Sequence, residues 1–257
     1  MNQYTAEEMM TIAASRKLKN GVVCFVGIGL PSAAANLARL THAPDVVLIY
    51  ESGTIGTKPN VLPLSIGDGE LSESAQMVVS VPEMFRYWLQ GGWVDVGFLG
   101  AAQIDKFANI NTTVIGDYHQ PKTRLPGAGG APEISTNAKE SLIILKQSKR
   151  AFVEKVSFIT SPGHLSGGDA REKAGLSTKG PTAVITDLGV LAPDPVSKEL
   201  VLVSLHEGST VEQAQEATGW HLKTNDPVPF TPPPTPLELS VLRDLNERTA
   251  LAHSGTH

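Results

Sequence analysis

The stretch VVCFVGIGLP, residues 22–31, is the strongest indication of the fold. In it an apolar strand is followed directly by a glycine turn and a proline. A second apolar strand follows in VVLIYESG, residues 46–53, and ends at a glutamate and a glycine. Neither strand alternates polar with apolar residues, which is typical of a sheet covered on both faces. Pro31 suits the first turn of a helix. The order strand, helix, strand therefore predicts a parallel α/β sheet.

Similar elements are predicted along the rest of the chain. Thr5-Ala6-Glu7-Glu8 and Ser209-Thr210-Val211-Glu212 predict capping boxes at the starts of two helices. Further helices are predicted at 82–90 and 237–251, and further strands at 94–99, 142–145, 151–158, 182–186 and 200–205. We expect an open, mostly parallel sheet flanked by helices. The sheet and its helices are expected to form one α/β domain over residues 1–226. A proline-rich segment and a C-terminal helix, residues 227–257, are expected to pack on this domain.

Composition and charge exclude several classes of protein. The chain has 257 residues, of which 41% are hydrophobic, and carries a net charge of −5. An acidic chain with no basic run beyond Lys149-Arg150 is a poor partner for nucleic acid or an anionic membrane. The single cysteine, Cys24, excludes an internal disulfide framework and a Cys-rich metal site. With neither a signal peptide nor an apolar run of about 18 residues, the sequence predicts a cytoplasmic protein.

Glu51 is the sharpest candidate for chemistry. It follows a wholly apolar strand and precedes Ser52-Gly53. In open α/β sheets, ligands bind outside the carboxyl ends of the strands, where a carboxylate is well placed to react. The alternative is that Glu51 caps a loop or pairs with Lys58.

Two glycine clusters are candidates for binding anionic groups. Gly27-Ile28-Gly29 opens a helix as a phosphate-binding turn does, but Ser32 stands where a dinucleotide fingerprint requires a third glycine. Gly127-Ala128-Gly129-Gly130 lies in a long loop, where backbone amides can converge on an oxyanion or a phosphate. The alternative for this second cluster is a loop that merely needs unusual torsion angles.

Other polar residues give weaker signals. Gln103, Asn109 and Asn111 are candidates for ligand contacts or simple turn formers. His119 and His164 each have an aspartate nearby, but neither shows standard ligand spacing, so no metal site is predicted. The Gly-x-Ser-x-Gly elbow of serine hydrolases is absent from the sequence.

Seven segments in consistent order, between about Thr5 and Gly219, carry a family resemblance. The chain resembles the B subunit of two-subunit class I CoA-transferases, of the glutaconate and 3-oxoadipate CoA-transferase kind. These segments are Gly27-Ile-Gly-Leu-Pro31, Glu51-Ser-Gly53, Gly100-Ala-Ala-Gln-Ile-Asp105, Ile115-Gly-Asp-Tyr-His119, Pro121-Lys-Thr-Arg124, Gly127-Ala-Gly-Gly130 and Thr160-Ser-Pro-Gly163.

The resemblance implies a NagB/RpiA-like fold and assigns roles to several residues. Glu51 is the covalent nucleophile, and the amides of Gly129 and Gly130 stabilise the oxyanion. Gly27, Gly29, Gln103 and Arg124 are candidates for contacts with substrate or coenzyme A. For Arg124 the choice is between pairing with a dicarboxylate and bracing its own loop.

The implied enzyme moves CoA from succinyl-CoA to a dicarboxylate, with 3-oxoadipate favoured, by ping-pong chemistry through a glutamyl-CoA thioester. It requires a separate A subunit in an A2B2 heterotetramer and no metal, flavin or nicotinamide, since coenzyme A is a substrate. The alternatives are the B subunit of a glutaconate CoA-transferase, an acyl-CoA or ring-opening hydrolase on the same fold, and a non-catalytic ligand sensor.

Overall fold

The computed structural model describes residues 4–254, which form two compact units. The first unit comprises the residues up to Phe98 together with those from Pro233 onward, and the second is Leu99–Pro232. These units do not correspond to the predicted division into an α/β domain, residues 1–226, and a C-terminal segment, residues 227–257. That division stays a prediction. No helix in the described range is long and apolar enough to cross a membrane.

The sheet of the first unit has a parallel centre. Its strands are β1 (Val23–Phe25), β2 (Val47–Ile49), β3 (Thr54–Ile55), β4 (Met77–Val78) and β5 (Val96–Leu99). They lie in the order β5-β1-β2-β3-β4. β1 pairs in parallel with both β2 and β5, whereas β3 and β4 are antiparallel additions. The two apolar strands predicted in the stretches 22–31 and 46–53 are confirmed as β1 and β2.

All but one of the described helices of this unit begin within one residue of the predicted position; the exception, at residues 69–73, lies in a stretch for which the sequence predicts no helix. The helices are α1 (Ala6–Ser15), α2 (Leu30–Leu40), α3 (Gly69–Glu73), α4 (Val81–Glu83), which continues as a π-helical turn (Met84–Leu89), and the C-terminal helix (Pro236–His253). The Thr5 capping box is confirmed, with a distance of 3.1 Å from the Glu8 amide to the Thr5 hydroxyl. Leu242 of the C-terminal helix packs with Ile12 and Leu37, so this helix closes the core over α1 and α2.

The second unit contains one mixed sheet and two hairpins. Its strands are β6 (Gln103–Ile104), β7 (Ile110–Asn111), β8 (Val114–Gly116), β9 (Pro121–Arg124), β10 (Glu140–Ile144), β11 (Pro181–Ile185), β12 (Gly189–Pro193), β13 (Leu200–Leu205) and β14 (Lys223–Thr224). The sheet order is β14-β13-β12-β11-β10, with β10 parallel to β11, and the pairs β6-β7 and β8-β9 stand apart. Its helices are α5 (Ala131–Asn137), α6 (Ala170–Lys173) and α7 (Val211–Glu216).

Two local predictions in this unit are wrong. Residues 151–158 form no strand beyond an isolated bridge at Phe152. Phe152 and Val156 are buried while Glu154 and Lys155 between them are exposed, so burial does not alternate as a strand requires. The cap of α7 is Thr210 rather than Ser209, because Gln213 completes the capping box in place of Glu212.

A tight turn joins β2 to β3 and depends on Gly53. The Tyr50 amide donates to the Thr54 carbonyl at 3.1 Å, and the Gly53 amide donates to the Tyr50 carbonyl at 3.0 Å. Gly53 has φ of +97°, and a Cβ there would collide with the carbonyl oxygen of Val79. Only glycine satisfies both the torsion angle and the contact.

We predict that Gly53→Ala destabilises the protein more than Gly92→Ala. Gly92 also has a positive φ, of +79°, but has open space around its Cβ position. Both variants incur the left-handed penalty of about 1 kcal/mol. The collision at Gly53 adds about 1–3 kcal/mol, as overpacking does. Free energies of unfolding from urea titration measure the difference; equal losses in the two variants would contradict the collision.

Candidate active site

Glu51 occupies a corner of the turn after β2, at the carboxyl end of that strand. Its side chain is half-buried. The carboxylate makes no hydrogen bond or ion pair with any residue between 4 and 254, so the alternative pairing with Lys58 is not formed. A carboxylate that is held near the surface without a partner remains available to a ligand.

The residue before Glu51 anchors the turn to α2. Tyr50 is fully buried, and its hydroxyl lies 2.8 Å from the hydroxyl of Ser32. Burial raises the pKa of Tyr50 to about 12, so the phenol stays protonated and neutral at physiological pH. In the sequence Ser32 stands out only as a missing glycine, whereas the structure uses its side chain to tie α2 to the end of β2.

The first glycine cluster leads from β1 into α2. Gly29 is the N-cap of α2, with φ of +81° and no side-chain cap. At Gly27 a Cβ would make only ordinary contacts, the nearest with Pro31 at 3.7 Å. The dinucleotide fingerprint is thus interrupted at Ser32, whose hydroxyl is already bound to Tyr50.

Three buried hydroxyls near Glu51 were not identified from the sequence. The side-chain oxygens of Ser52, Thr54 and Thr57 are buried and have no hydrogen-bond partner within the described part of the chain. Buried polar groups in native proteins nearly always have partners, so each such group calls for an explanation. Serine and threonine are too common in loops for the sequence to single these three out.

The second glycine cluster contains the unusual torsion angles that one of its two interpretations requires, and its role as an oxyanion site stays a prediction. Gly127 and Gly129 have φ of +112° and +50°, and Gly130 is the N-cap of α5. The loop is fastened by the Gly127 amide, which donates to the Thr112 carbonyl at 2.8 Å. The amides of Gly129 and Gly130 donate to no acceptor within residues 4–254. Gly129 is exposed whereas Gly130 is buried, so of these two amides that of Gly129 belongs to a residue at the surface.

The side chains of Gln103 and Arg124 both have partners within the second unit. Gln103 is buried, accepts from Asn111 at 3.0 Å and donates to the Arg150 carbonyl at 3.4 Å. Arg124 is exposed on β9, donates to the Tyr118 carbonyl at 2.9 Å and lies 5.0 Å from the centre of the Tyr118 ring. These contacts brace the hairpins, and a role of either residue in substrate binding stays a prediction.

Asp105 and Asn109 organise the motifs around them. The Asp105 carboxylate accepts from the amide of Phe107 and from both the amide and the side chain of Asn109. The Asn109 side-chain oxygen accepts in turn from the amides of Gly163 at 2.9 Å and Leu165 at 3.0 Å. Burial raises the pKa of Asp105. These hydrogen bonds hold the segment around Asp105 against the segment around Gly163, so the role of Asp105 and Asn109 is structural.

The candidate residues are divided between the two units. Glu51, Gly27 and Gly29 lie in the first, whereas Gln103, Arg124, Gly129 and Gly130 lie in the second. Among the described residues there is no cluster of three or more His, Cys, Asp or Glu that could hold a metal ion. Burial raises the pKa of the Cys24 thiol, which keeps it an unreactive core group.

Comparison with known proteins places these features in one family. Residues 7–217 match the family model described as coenzyme A transferase. The chain is 65% identical to the B subunit of 3-oxoadipate CoA-transferase from Pseudomonas knackmussii, covering 98% of this chain and 97% of the relative. It is 36% identical to the B subunit of glutaconate CoA-transferase from Acidaminococcus fermentans, covering 94% and 92%.

A solved structure agrees with this assignment. The crystal structure of glutaconate coenzyme A-transferase from Acidaminococcus fermentans superposes with a TM-score of 0.90 at 34% identity, covering 96% of this chain and 97% of that one. The predicted α/β fold and the predicted resemblance are both confirmed. The chain belongs to the coenzyme A transferase family, as a B subunit of its two-subunit type.

Proposed function

We propose that this chain is the B subunit of an enzyme that transfers CoA from succinyl-CoA to 3-oxoadipate. The observation that carries the proposal is the 65% identity, over nearly the full length of both chains, to the B subunit of a 3-oxoadipate CoA-transferase. Glutaconate is the second candidate acceptor, because of the glutaconate enzyme's similarity in sequence and structure.

Glu51 is the proposed nucleophile. Its carboxylate attacks the thioester carbonyl of succinyl-CoA and expels the CoA thiolate, leaving a mixed anhydride between Glu51 and succinate. The thiolate then attacks the glutamyl carbonyl, which releases succinate and forms a glutamyl-CoA thioester. A carboxylate at the corner of a turn is suited to this role, and this one has no hydrogen bond or ion pair within the described part of the chain that would have to be broken first.

The second substrate reverses these steps in ping-pong order. The 3-oxoadipate carboxylate attacks the glutamyl-CoA carbonyl, and the released thiolate attacks the acyl carbonyl of the resulting anhydride. This yields 3-oxoadipyl-CoA and regenerates the Glu51 carboxylate. Each attack passes through a tetrahedral oxyanion, for which we propose the free amides of Gly129 and Gly130 as donors. A donor of this kind typically lowers the barrier by about 3 kcal/mol.

The rest of the enzyme follows from this chemistry. Coenzyme A enters and leaves as a substrate, and none of these steps calls for a metal, flavin or nicotinamide. Water has to be excluded, because it would hydrolyse the anhydride. We propose that a separate A subunit completes the site in an A2B2 heterotetramer, and that the enzyme works in the cytoplasm.

We predict that Glu51 of the assembled enzyme becomes covalently linked to CoA. Incubation with succinyl-CoA and no acceptor leaves the thioester in place, and borohydride reduces it and inactivates the enzyme. Mass spectrometry of the peptide that contains Glu51 locates the modification. A modified Ser52, or an unmodified Glu51 after a single turnover, would refute the nucleophile assignment.

We predict that the chain purified alone is inactive and gains activity when co-expressed with its A subunit. Exposed apolar side chains such as Met77, Val78 and Trp93 suit a surface that another chain covers. Light scattering of the active complex is expected to give the mass of a tetramer with two copies of each subunit. Full transferase activity from the single chain would contradict the need for a partner.

We predict that Glu51→Asp converts transfer into slow hydrolysis. The variant withdraws the carboxylate by about 1.5 Å, and a displacement near 1 Å already costs about 100-fold in a positioned reaction. The gap admits a water that the carboxylate can activate as a general base, so hydrolysis of succinyl-CoA persists or rises.

The matched control is Glu51→Ala, which has neither nucleophile nor base and is expected to lose both activities. Thiol release with and without 3-oxoadipate distinguishes transfer from hydrolysis in the parent and both variants. Transfer by Glu51→Ala at a rate near that of the parent would show that Glu51 only shapes the strand end. Hydrolysis by the parent without an acceptor, at the rate of transfer, would favour a hydrolase.

A further inference from the structure

We propose that Tyr50 and Ser32 form a positioning pair that fixes the backbone of the Glu51 turn. The proposal rests on the function proposed above, in which Glu51 is the nucleophile. It gives a purpose to Ser32, the residue that interrupts the dinucleotide fingerprint of the first glycine cluster.

The contacts of Tyr50 reach both sides of the turn. Its carbonyl accepts from the Gly53 amide and its amide donates to the Thr54 carbonyl, so its backbone closes the turn. Its hydroxyl lies 2.8 Å from that of Ser32 in the first turn of α2, and both side chains are completely buried. One residue thus joins the turn to a helix that itself belongs to the packed core.

The pair extends into a longer network. Asn36 donates to the Ser32 carbonyl at 3.0 Å and accepts from Arg39 at 3.2 Å. Arg39 also donates to the carbonyl of Pro59 at 2.8 Å. The network starts immediately before Glu51 and ends at Pro59, beyond the end of β3, so α2 contacts the chain both before and after the turn.

Such a brace matters because Glu51 has no partner of its own. Within the described residues its carboxylate is not held by any hydrogen bond or ion pair. Its location is therefore set by the backbone of the turn. In the proposed cycle the side chain changes from carboxylate to anhydride to thioester, so only a fixed backbone can keep the carbonyl carbon at one place throughout.

The test uses Tyr50→Phe, Ser32→Ala and the double variant, each in the complex with the A subunit. Tyr50→Phe removes the hydroxyl and retains the ring that fills the core. We expect kcat to fall about 10-fold, less than the roughly 100-fold cost of a full 1 Å displacement. KM for succinyl-CoA is expected to change less than about 2-fold, because the pair touches no substrate. The rate of glutamyl-CoA formation in a single turnover is expected to fall as kcat does.

Two comparisons separate positioning from general stability. If the hydrogen bond between the two hydroxyls is what matters, the double variant has the same kcat as either single variant, since each change removes the same interaction. Tyr87→Phe is the matched control: it makes the same chemical change at an exposed tyrosine of the first unit and is expected to leave kcat unchanged.

Three outcomes would overturn the proposal. Glutamyl-CoA formation by Tyr50→Phe at the parent rate would leave Glu51 as the nucleophile and remove the positioning role. A loss of kcat that is matched by the loss of folded complex, measured by thermal unfolding, would reduce the pair to a core contact. No adduct on Glu51 in the parent would refute the proposed nucleophile, and the positioning role with it.

Discussion

The reversal of the chain between β2 and β3 is the constraint on which the proposed chemistry depends. A parallel strand buried on both faces has to end at the edge of the sheet, and here the next strand returns antiparallel after only a short turn. The turn can close because Gly53 takes a positive φ in a place where the Val79 carbonyl leaves no room for a Cβ. Glu51 is thereby presented at the corner, and its carboxylate has no partner among residues 4–254.

A different solution fixes the glycine loop of the second unit. Arg171 is buried and donates to the Ser135 carbonyl of α5 at 2.7 Å and to the Gly163 carbonyl at 2.8 Å. It also donates to the carbonyl and hydroxyl of Thr178 and to the carbonyl of Pro162, so dipoles and not a carboxylate compensate the charge. The planar guanidinium has five N–H donors and reaches four carbonyls and a hydroxyl here, more acceptors than the three donors of a lysine ammonium could serve. The helix that begins at Gly130 is thus held at its far end.

Both units contain buried polar groups without a partner among the described residues: Ser52, Thr54 and Thr57 in the first, and Thr112, Ser141, Ser161 and Trp220 in the second. The side chains of Asp105 and Arg171 themselves use their donors and acceptors, which holds each of them in one position. Around Glu51, by contrast, the hydroxyls of Ser52, Thr54 and Thr57 lack partners among the described residues. Buried polar groups in native proteins nearly always have partners, so each of these groups calls for an explanation.

The sequence by itself determined the α/β class, the family and the candidates Glu51, Gly129 and Gly130, because apolar runs, glycine turns and capping boxes are local features. It could not reveal the hydrogen bond between Ser32 and Tyr50, or the hydrogen bonds that Asn109 makes with Asp105, Gly163 and Leu165. No sequence pattern indicates which group a buried hydroxyl or amide will bind. The prediction of a strand at 151–158 was wrong for the same reason, because the burial of each residue depends on what packs against the segment. Only the tertiary structure decided those contacts, because they join residues that folding brings together.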